Sequence, residues 1–301
     1  MAKVTVPDHL VFPLEHFGAD FVRHVELGTA AFAGSRVAFV GLARNCGTHL
    51  KNNLARLWEL TEGCLEWRLH VETNDNEDDT DQVLIDFCKA HPQATFLSRR
   101  LNRQQFTTEF AGRRTEALAE YRTACQKWVR GNASDADYVV AVDWDSWGGW
   151  SHAGFLHGLG RLSATPHAAG MASVSLIQYP QLQMGEDQKP SLGVGWVHYD
   201  AWALRLNSAF DDYTAGLGGW KHQWIPPVGS PPVPVVSAFG GMCIYKTHAY
   251  LAGTYDGSDC EHVPFHRTMA ERTKATLYLD PAMRIVMHWM EPGDGGNHGD
   301  D

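Results

Sequence analysis

The sequence lacks the runs and spacings that announce several large classes of protein. No stretch reaches the roughly 18 consecutive apolar residues of a membrane span, and the amino-terminal MAKVTVPDHL has no apolar leader core. These two absences predict a soluble, cytoplasmic protein without a membrane span. The six cysteines, at 46, 64, 88, 125, 243 and 260, form no Cys-x-x-Cys pair, which argues against a zinc ribbon or a redox dithiol and for reduced, mostly buried thiols. No internal repeat is present. Basic residues are in deficit, 25 against 35 acidic, and the formal charge of -10 disfavours a nonspecific grip on nucleic acid or on an anionic membrane. A phosphate-bearing ligand would therefore need local arginines or a bound cation.

What is present is the material of a large α/β domain. At 301 residues, with 44% hydrophobic residues and 11 tryptophans, the chain can bury a sizeable core and still line a sugar-sized pocket. The run RVAFVGL (36–42) reads as a strand, ARNCGTH as a loop, and LKNNLARLWEL (50–60) as a helix. The unit recurs: LEWRLHVE (65–72), TNDNEDDT and DQVLIDFCKA (81–90) read as strand, loop and helix. A short strand ATFLS, a long helix over 113–129 and the strand DYVVAV (137–142) follow. Such alternation predicts a Rossmann-like, mostly parallel sheet with helices on both faces, and ligands gather at the carboxyl ends of strands in such sheets.

The second half has a different texture. Strand-like pieces at 171–177, 235–239 and 242–245 are separated by GLGGWKHQWIPPVGSPPVPVV (216–236), whose prolines predict a long surface loop and a candidate lid. The expected division is a helical extension over 1–33, one catalytic-type domain over 34–291 and a disordered tail over 292–301. Within that domain, 34–145 is expected to be the nucleotide-binding half and 146–291 a mixed acceptor half.

Asp143 and Asp145 end an apolar strand, and their spacing turns both carboxylates to one side. Like charges so close call for a proton or a cation between them, and hard oxygen ligands suit Mg2+ or Mn2+; the plain alternative is a solvated acidic turn. The cluster ETNDNEDDTD (72–81) departs from a calcium loop, with Thr80 where glycine is needed and Asp86 where glutamate is needed. It suits a helix cap and hydrogen bonds to a base or ribose. In CEHVPFH (260–266), His262 and His266 lack the glutamate of a zinc-protease helix, and Glu261 is a candidate general base or a plain helix-start residue. His288, in the apolar run RIVMHWM, is either a core histidine or a nitrogen ligand, which Mn2+ accepts more readily than Mg2+. Arginines gather at 99, 100, 103, 113, 114 and 122, around the start of the long helix, where an anion is favoured if the arginines are not simply a solvated face.

In order, DWD (143–145), SAFGG (237–241), CEH (260–262) and His288 resemble the GT-A class of nucleotide-sugar-dependent glycosyltransferases. Within that class, EFAGRRTEALAEYRTAC (109–125), VAVDWDSW (140–147), HYDAWALR (198–205) and SAFGGMCIYK (237–246) are similar to the capsule-associated mannosyltransferase family of fungi. The resemblance implies an α/β GT-A fold and a transferase that uses a nucleoside-diphosphate sugar and Mn2+ or Mg2+. It implies that Asp145, with Asp143 and His288, holds the metal, while Arg44, Asn45, Glu72, Asn74, Arg114 and Asp143 line the nucleotide. Gly240 and Gly241 would allow close backbone approach, and Glu261 would be the base toward an acceptor hydroxyl if configuration inverts. The acceptor class, whether glycan, protein, small molecule or hydroxylated nucleic-acid base, is unspecified, as is the oligomeric state. A nucleotidyltransferase making nucleotide sugars and a noncatalytic carbohydrate- or calcium-binding module are the rival readings.

Overall fold

A computed structural model describes residues 5–104, 112–184, 189–206 and 217–290. The tail expected over 292–301 lies outside the described residues. After helix α1 (Glu15–Ala33), the first half alternates as β1 (Arg36–Ala43), α2 (Gly47–Thr61), β2 (Glu66–Asn74), α3 (Thr80–Ala90), β3 (Ala94–Arg99), α4 (Arg113–Asn132) and β4 (Tyr138–Asp143). The second half comprises β5 (Gly149–Trp150), α5 (His152–Ala164), β6 (Ala168–Met184), β7 (Pro190–His198), β8 (Val233–Val235), β9 (Met242–Lys246), α6 (Thr247–Ala252), α7 (His262–Thr273) and β10 (Thr276–His288).

The sheet runs β3-β2-β1-β4-β9-β6-β10-β5, with β7 added to β6 and β8 to β10. Strands β3, β2, β1 and β4 are mutually parallel, while β9 runs against β4 and β6. Strands β6 and β10 resume the first direction, so the sheet is mostly parallel along its length and mixed in its second half. Strands buried on both faces need apolar side chains on both, and β1 supplies them alternately. Val37 and Phe39 join a core with α2 and α5, whereas Ala38 and Val40 join a core with α4 and α7.

The stretch 1–33 contributes α1, which lies closely on α5. A Cβ at Gly28 would stand 1.8 Å from the Leu156 carbonyl oxygen, so only glycine permits this crossing. The loop expected over 216–236 is more integrated than its proline content suggests. Lys221 is fully buried and donates to the Leu204 carbonyl at 2.5 Å, Val228 is fully buried, and Val233–Val235 pair with β10. The strand expected at 235–239 is β8, displaced to 233–235; Pro234 is accommodated because β8 is an edge strand. Past Ile177, β6 leaves β10 and continues with β7 alone, forming a two-stranded hairpin that projects beyond the sheet. All six cysteines are free, four of them buried. No helix among the described residues is long and apolar enough to cross a membrane.

Candidate active site

The turn after β4 is built around a wedge. Trp144 is fully buried, packed edge-to-face on Trp150 at 6.2 Å, and its burial turns the flanking Asp143 and Asp145 the other way, into a cavity. Asn53 of α2 clamps the turn, its amide donating to the Trp144 carbonyl at 2.9 Å and the Ser146 carbonyl at 2.8 Å. Asp143 donates its backbone N–H to the Gly241 carbonyl at 2.8 Å, which ties the acidic turn to the SAFGG loop.

The cavity, about 500 Å³, lies at the carboxyl ends of β1, β2 and β4. Four arginines (44, 103, 114 and 122) and five carboxylates (Glu72, Asp143, Asp145, Asp200 and Glu261) line it. Arg122 is its hub: buried, bonded to Asp143 at 2.5 Å, 3.6 Å from Glu261, and 4.8 Å from the centre of the Phe239 ring. Burial works against its charge, but Asp143 and Glu261 outweigh burial and hold the guanidinium firmly protonated. Its Nε and Nη1 nevertheless make no hydrogen bond, as expected where a ligand supplies acceptors.

The carboxylates are poised differently. Asp145 is exposed to the cavity, and enclosure by the surrounding protein, then the charge of Asp143, pushes its carboxyl up to about 6. Asp200 accepts from the Gly240 N–H at 2.8 Å and the Ala203 N–H at 3.3 Å, but burial prevails and raises it to about 7. Glu261 is also raised by burial, partly offset by Arg122. Beside it, His262 stacks on Phe239 at 3.9 Å; burial and then Arg122 hold its imidazole neutral.

A second cavity, about 610 Å³, adjoins the first and shares Asp145, Ile177, Tyr199 and Met287 with it. His288 lines this second cavity, its ring 4.1 Å from that of Trp147, which stacks in turn on His49 at 4.9 Å.

No family model matches the chain, and no curated protein matches it. Solved structures do. GalNAc-T7, crystallised with UDP, GalNAc and Mn2+, aligns over 97% of this chain and 56% of its own at a TM-score of 0.50 and 8% identity. The chain has the GT-A fold. Mannosyltransferase PcManGT from Pyrobaculum calidifontis, with GDP-Man and Mn2+, aligns over 93% of this chain and 68% of its own at 0.47 and 12% identity. Glucosyl-3-phosphoglycerate synthase from Mycobacterium tuberculosis, with Mn2+, UDP and phosphoglyceric acid, aligns over 89% and 75% at 0.48 and 13%.

Within this GT-A fold, Arg44, Glu72, Asn74, Arg114, Asp143, Asp145, Gly241 and Glu261 all border the first cavity. Arg44 donates to the Arg103 carbonyl at 2.7 Å, and Arg114 lies 5.4 Å from the Trp202 ring. Glu72 is occupied by His70 at 3.1 Å and Arg99 at 2.9 Å. Asn74 donates to Asp75 at 2.8 Å, and Asp75 in turn accepts the N–H groups of Leu101, Asn102 and Arg103. Burial opposes the charge of Asp75, but those donors outweigh it and hold the carboxyl well below its usual range.

Two of the expected residues face elsewhere. Asn45 is engaged by the acidic loop, its N–H donating to Asn76 at 2.9 Å and its side-chain oxygen accepting from Glu77 N–H at 2.8 Å. Gly240 lies behind the cavity wall, with φ +64° and a Cβ position only 2.0 Å from the Ser173 carbonyl oxygen, so β6 itself requires glycine there. His266 is a core residue, between the Ser237 hydroxyl at 3.0 Å and the Tyr245 hydroxyl at 2.8 Å. Among the described residues no three His, Cys, Asp or Glu side chains stand together as a preformed metal cage. Of the arginine cluster, Arg103, Arg114 and Arg122 reach the cavity, Arg99 pairs with Glu72 and Glu120, and Arg100 and Arg113 are exposed. Asp200 and Tyr199 also border the cavity; both lie within HYDAWALR, but a lone aspartate outside any spacing motif carries no local signal of a site.

Proposed function

We propose that the chain is a divalent-metal-dependent glycosyltransferase that moves a sugar from a nucleoside-diphosphate sugar to an acceptor hydroxyl. The observation that carries this reading is the paired Asp143 and Asp145 at the end of β4, facing a cavity ringed by four arginines at the carboxyl ends of parallel strands. GalNAc-T7, which shares the fold, was crystallised with UDP, GalNAc and Mn2+.

The donor set fits a divalent ion. Asp145 makes no ion pair among the described residues, and enclosure by the protein together with the charge of Asp143 raises its carboxyl, so a cation would relieve the repulsion. Few protein ligands are needed, because Mg2+ and Mn2+ complete their shells with water and substrate phosphates. Asp143 and Asp145 would hold the ion, with His288 across the shared wall as the candidate nitrogen donor. When bound, it would neutralise charge developing on the leaving diphosphate.

The chain's own residues do the rest. Arg44, Arg103 and Arg114 offset the phosphate charge that the acidic surface would otherwise repel, and Glu72 and Asn74 border the nucleoside end. Arg122 neutralises Asp143 and Glu261 together, which keeps these two carboxylates compatible with an anionic substrate. In an inverting reaction Glu261 takes the acceptor proton as the new glycosidic C–O bond forms and the bond to the diphosphate breaks. Its burial-raised proton affinity suits that role. In a retaining reaction it binds sugar hydroxyls.

The narrower kinship with fungal capsule-associated mannosyltransferases is supported by where its strings fall: described parts of all four, through Arg114, Asp143, Asp200 and Gly241, border this one cavity. GDP-mannose is therefore the first donor to test. The experiment is nucleoside-diphosphate release from a panel of UDP- and GDP-sugars with Mn2+: release that EDTA abolishes is expected. Consumption of nucleoside triphosphate with pyrophosphate release would instead identify a nucleotidyltransferase, and ligand binding without turnover a noncatalytic module.

A further inference from the structure

The two adjoining cavities differ in the chemistry of their walls. Four arginines line the first, while among the described residues no lysine or arginine lines the second, whose ionisable residues there, apart from tyrosines, are Asp145 and His288. Where Asp145 and His288 hold a divalent ion, that ion is committed to the donor diphosphate, so a further anion entering the second cavity would meet no basic side chain to offset its charge. Apart from Gln178, whose side-chain oxygen accepts from the Met290 N–H at 3.0 Å, its other surfaces are aromatic and apolar. Tyr179 and Tyr199 expose 58% and 46% of their surface, large values for tyrosines that border a cavity, and Trp147 backs the wall between His49 and His288. Its volume of about 610 Å³ falls in the range of about 300–1,000 Å³ typical of small-ligand sites.

We propose that the second cavity is the acceptor site and that it takes an uncharged saccharide or glycoside, held on the open faces of Tyr179 and Tyr199. The word acceptor rests on the glycosyltransferase reading; the choice of an uncharged sugar rests on the walls alone. Aromatic side chains present an apolar face and a polar tip, which matches a pyranose ring with its C–H faces and equatorial hydroxyls. Phosphorylated sugars and nucleic acids, which need basic contacts to offset their charge, are excluded by the same walls. Asp145 and Tyr199 border both cavities, so a hydroxyl passing Tyr199 enters the first cavity, where Glu261 and Asp200 stand.

The test is calorimetric titration of the full chain, held with Mn2+ and either UDP or GDP, with methyl α-mannoside, methyl β-glucoside and methyl β-galactoside. Mannose 6-phosphate, glucose 6-phosphate and a single-stranded oligonucleotide are titrated in parallel. At least one methyl glycoside is expected to bind tenfold or more tightly than either phosphosugar or the oligonucleotide. Tyr179→Ala should weaken it at least tenfold while nucleoside-diphosphate affinity stays within twofold; because Tyr179 is exposed on the hairpin, the variant should fold, and its melting curve checks this. Trp147→Phe, which keeps an aromatic wall, should retain binding within about threefold. The proposal is overturned if no methyl glycoside binds, if a phosphosugar or the oligonucleotide binds as tightly, or if a folded Tyr179→Ala binds as the parent does. If glycosides bind and respond to Tyr179→Ala but no nucleoside diphosphate binds or is released, the saccharide site stands and the donor reading falls.

Discussion

The first cavity and the second share a wall of Asp145, Ile177, Tyr199 and Met287, yet they are built on opposite principles. In and around the first, charges are interlocked: the buried Arg122 joins Asp143 to Glu261, and Arg99 joins the lining Glu72 to Glu120 outside the cavity. Each member of such a network owes its low cost to its partners, so function and stability are coupled there. In the second, exposed tyrosines supply the surface, and little else in the fold depends on them. A cavity whose charges are interlocked resists mutation, whereas one walled by exposed aromatic side chains tolerates it.

That contrast can be broken at its strongest point first. Arg122→Leu leaves the buried Glu261 and the part-buried Asp143 without their shared cation, and should destabilise the protein by about 3 kcal/mol, read by urea denaturation. A variant with unchanged stability would show that the network is ornamental. Asp145→Asn should next lower nucleotide-sugar turnover by about 100-fold or more, equivalent to about 2.7 kcal/mol at the transition state. It should leave the melting temperature unchanged or raised, since a neutral amide removes the repulsion with Asp143.

A smaller effect concerns pH. The carboxyl of Asp200 is raised to about 7 in the folded chain, so its favourable contribution is complete below the unfolded value and is lost as pH rises through 7. Asp200→Asn cannot ionise. The melting temperature of the parent minus that of this variant should therefore fall between pH 5 and pH 8, by about 2–4 °C for each kcal/mol involved. An equal difference at both pH values would remove Asp200 from the set of charged cavity groups. Smallest of all, Tyr179→Ala should change stability by no more than about 0.5 kcal/mol, as exposed positions generally do. A loss comparable to that of Arg122→Leu would erase the distinction between the two cavities.

The parallel half was legible because its information is local. Strands 36–42, 65–72, 94–98 and 137–142 fall within a residue or two of β1, β2, β3 and β4, since each is an apolar run closed by turn residues. The long helix runs three residues further than expected, to Asn132. The second half was harder to read. Helix α5 has apolar positions crowded with glycine, Gly154, Gly158 and Gly160, and its helical state comes from packing on α1 and β10 rather than from propensity. The outer part of the hairpin, with Pro180 and Pro190, carries no strand signature; Pro180 is tolerated because β6 has lost its β10 neighbour by that point. The 216–236 segment reads as a surface loop because proline forbids regular structure, and proline has no bearing on whether Lys221 is buried.

For the candidate site, the sequence by itself determined that two carboxylates flank a tryptophan at the end of a buried strand. Strand alternation then puts Trp144 in the core and Asp143 and Asp145 out of it, a rule of backbone geometry that needs no neighbour. Only the tertiary structure decided what those carboxylates meet. Arg122 lies 21 residues before Asp143, and Glu261 and Asp200 come from the other half of the chain. No periodicity records which helix crosses which strand, so the partition into one charged and one aromatic cavity exists only once the sheet has closed around Asp145.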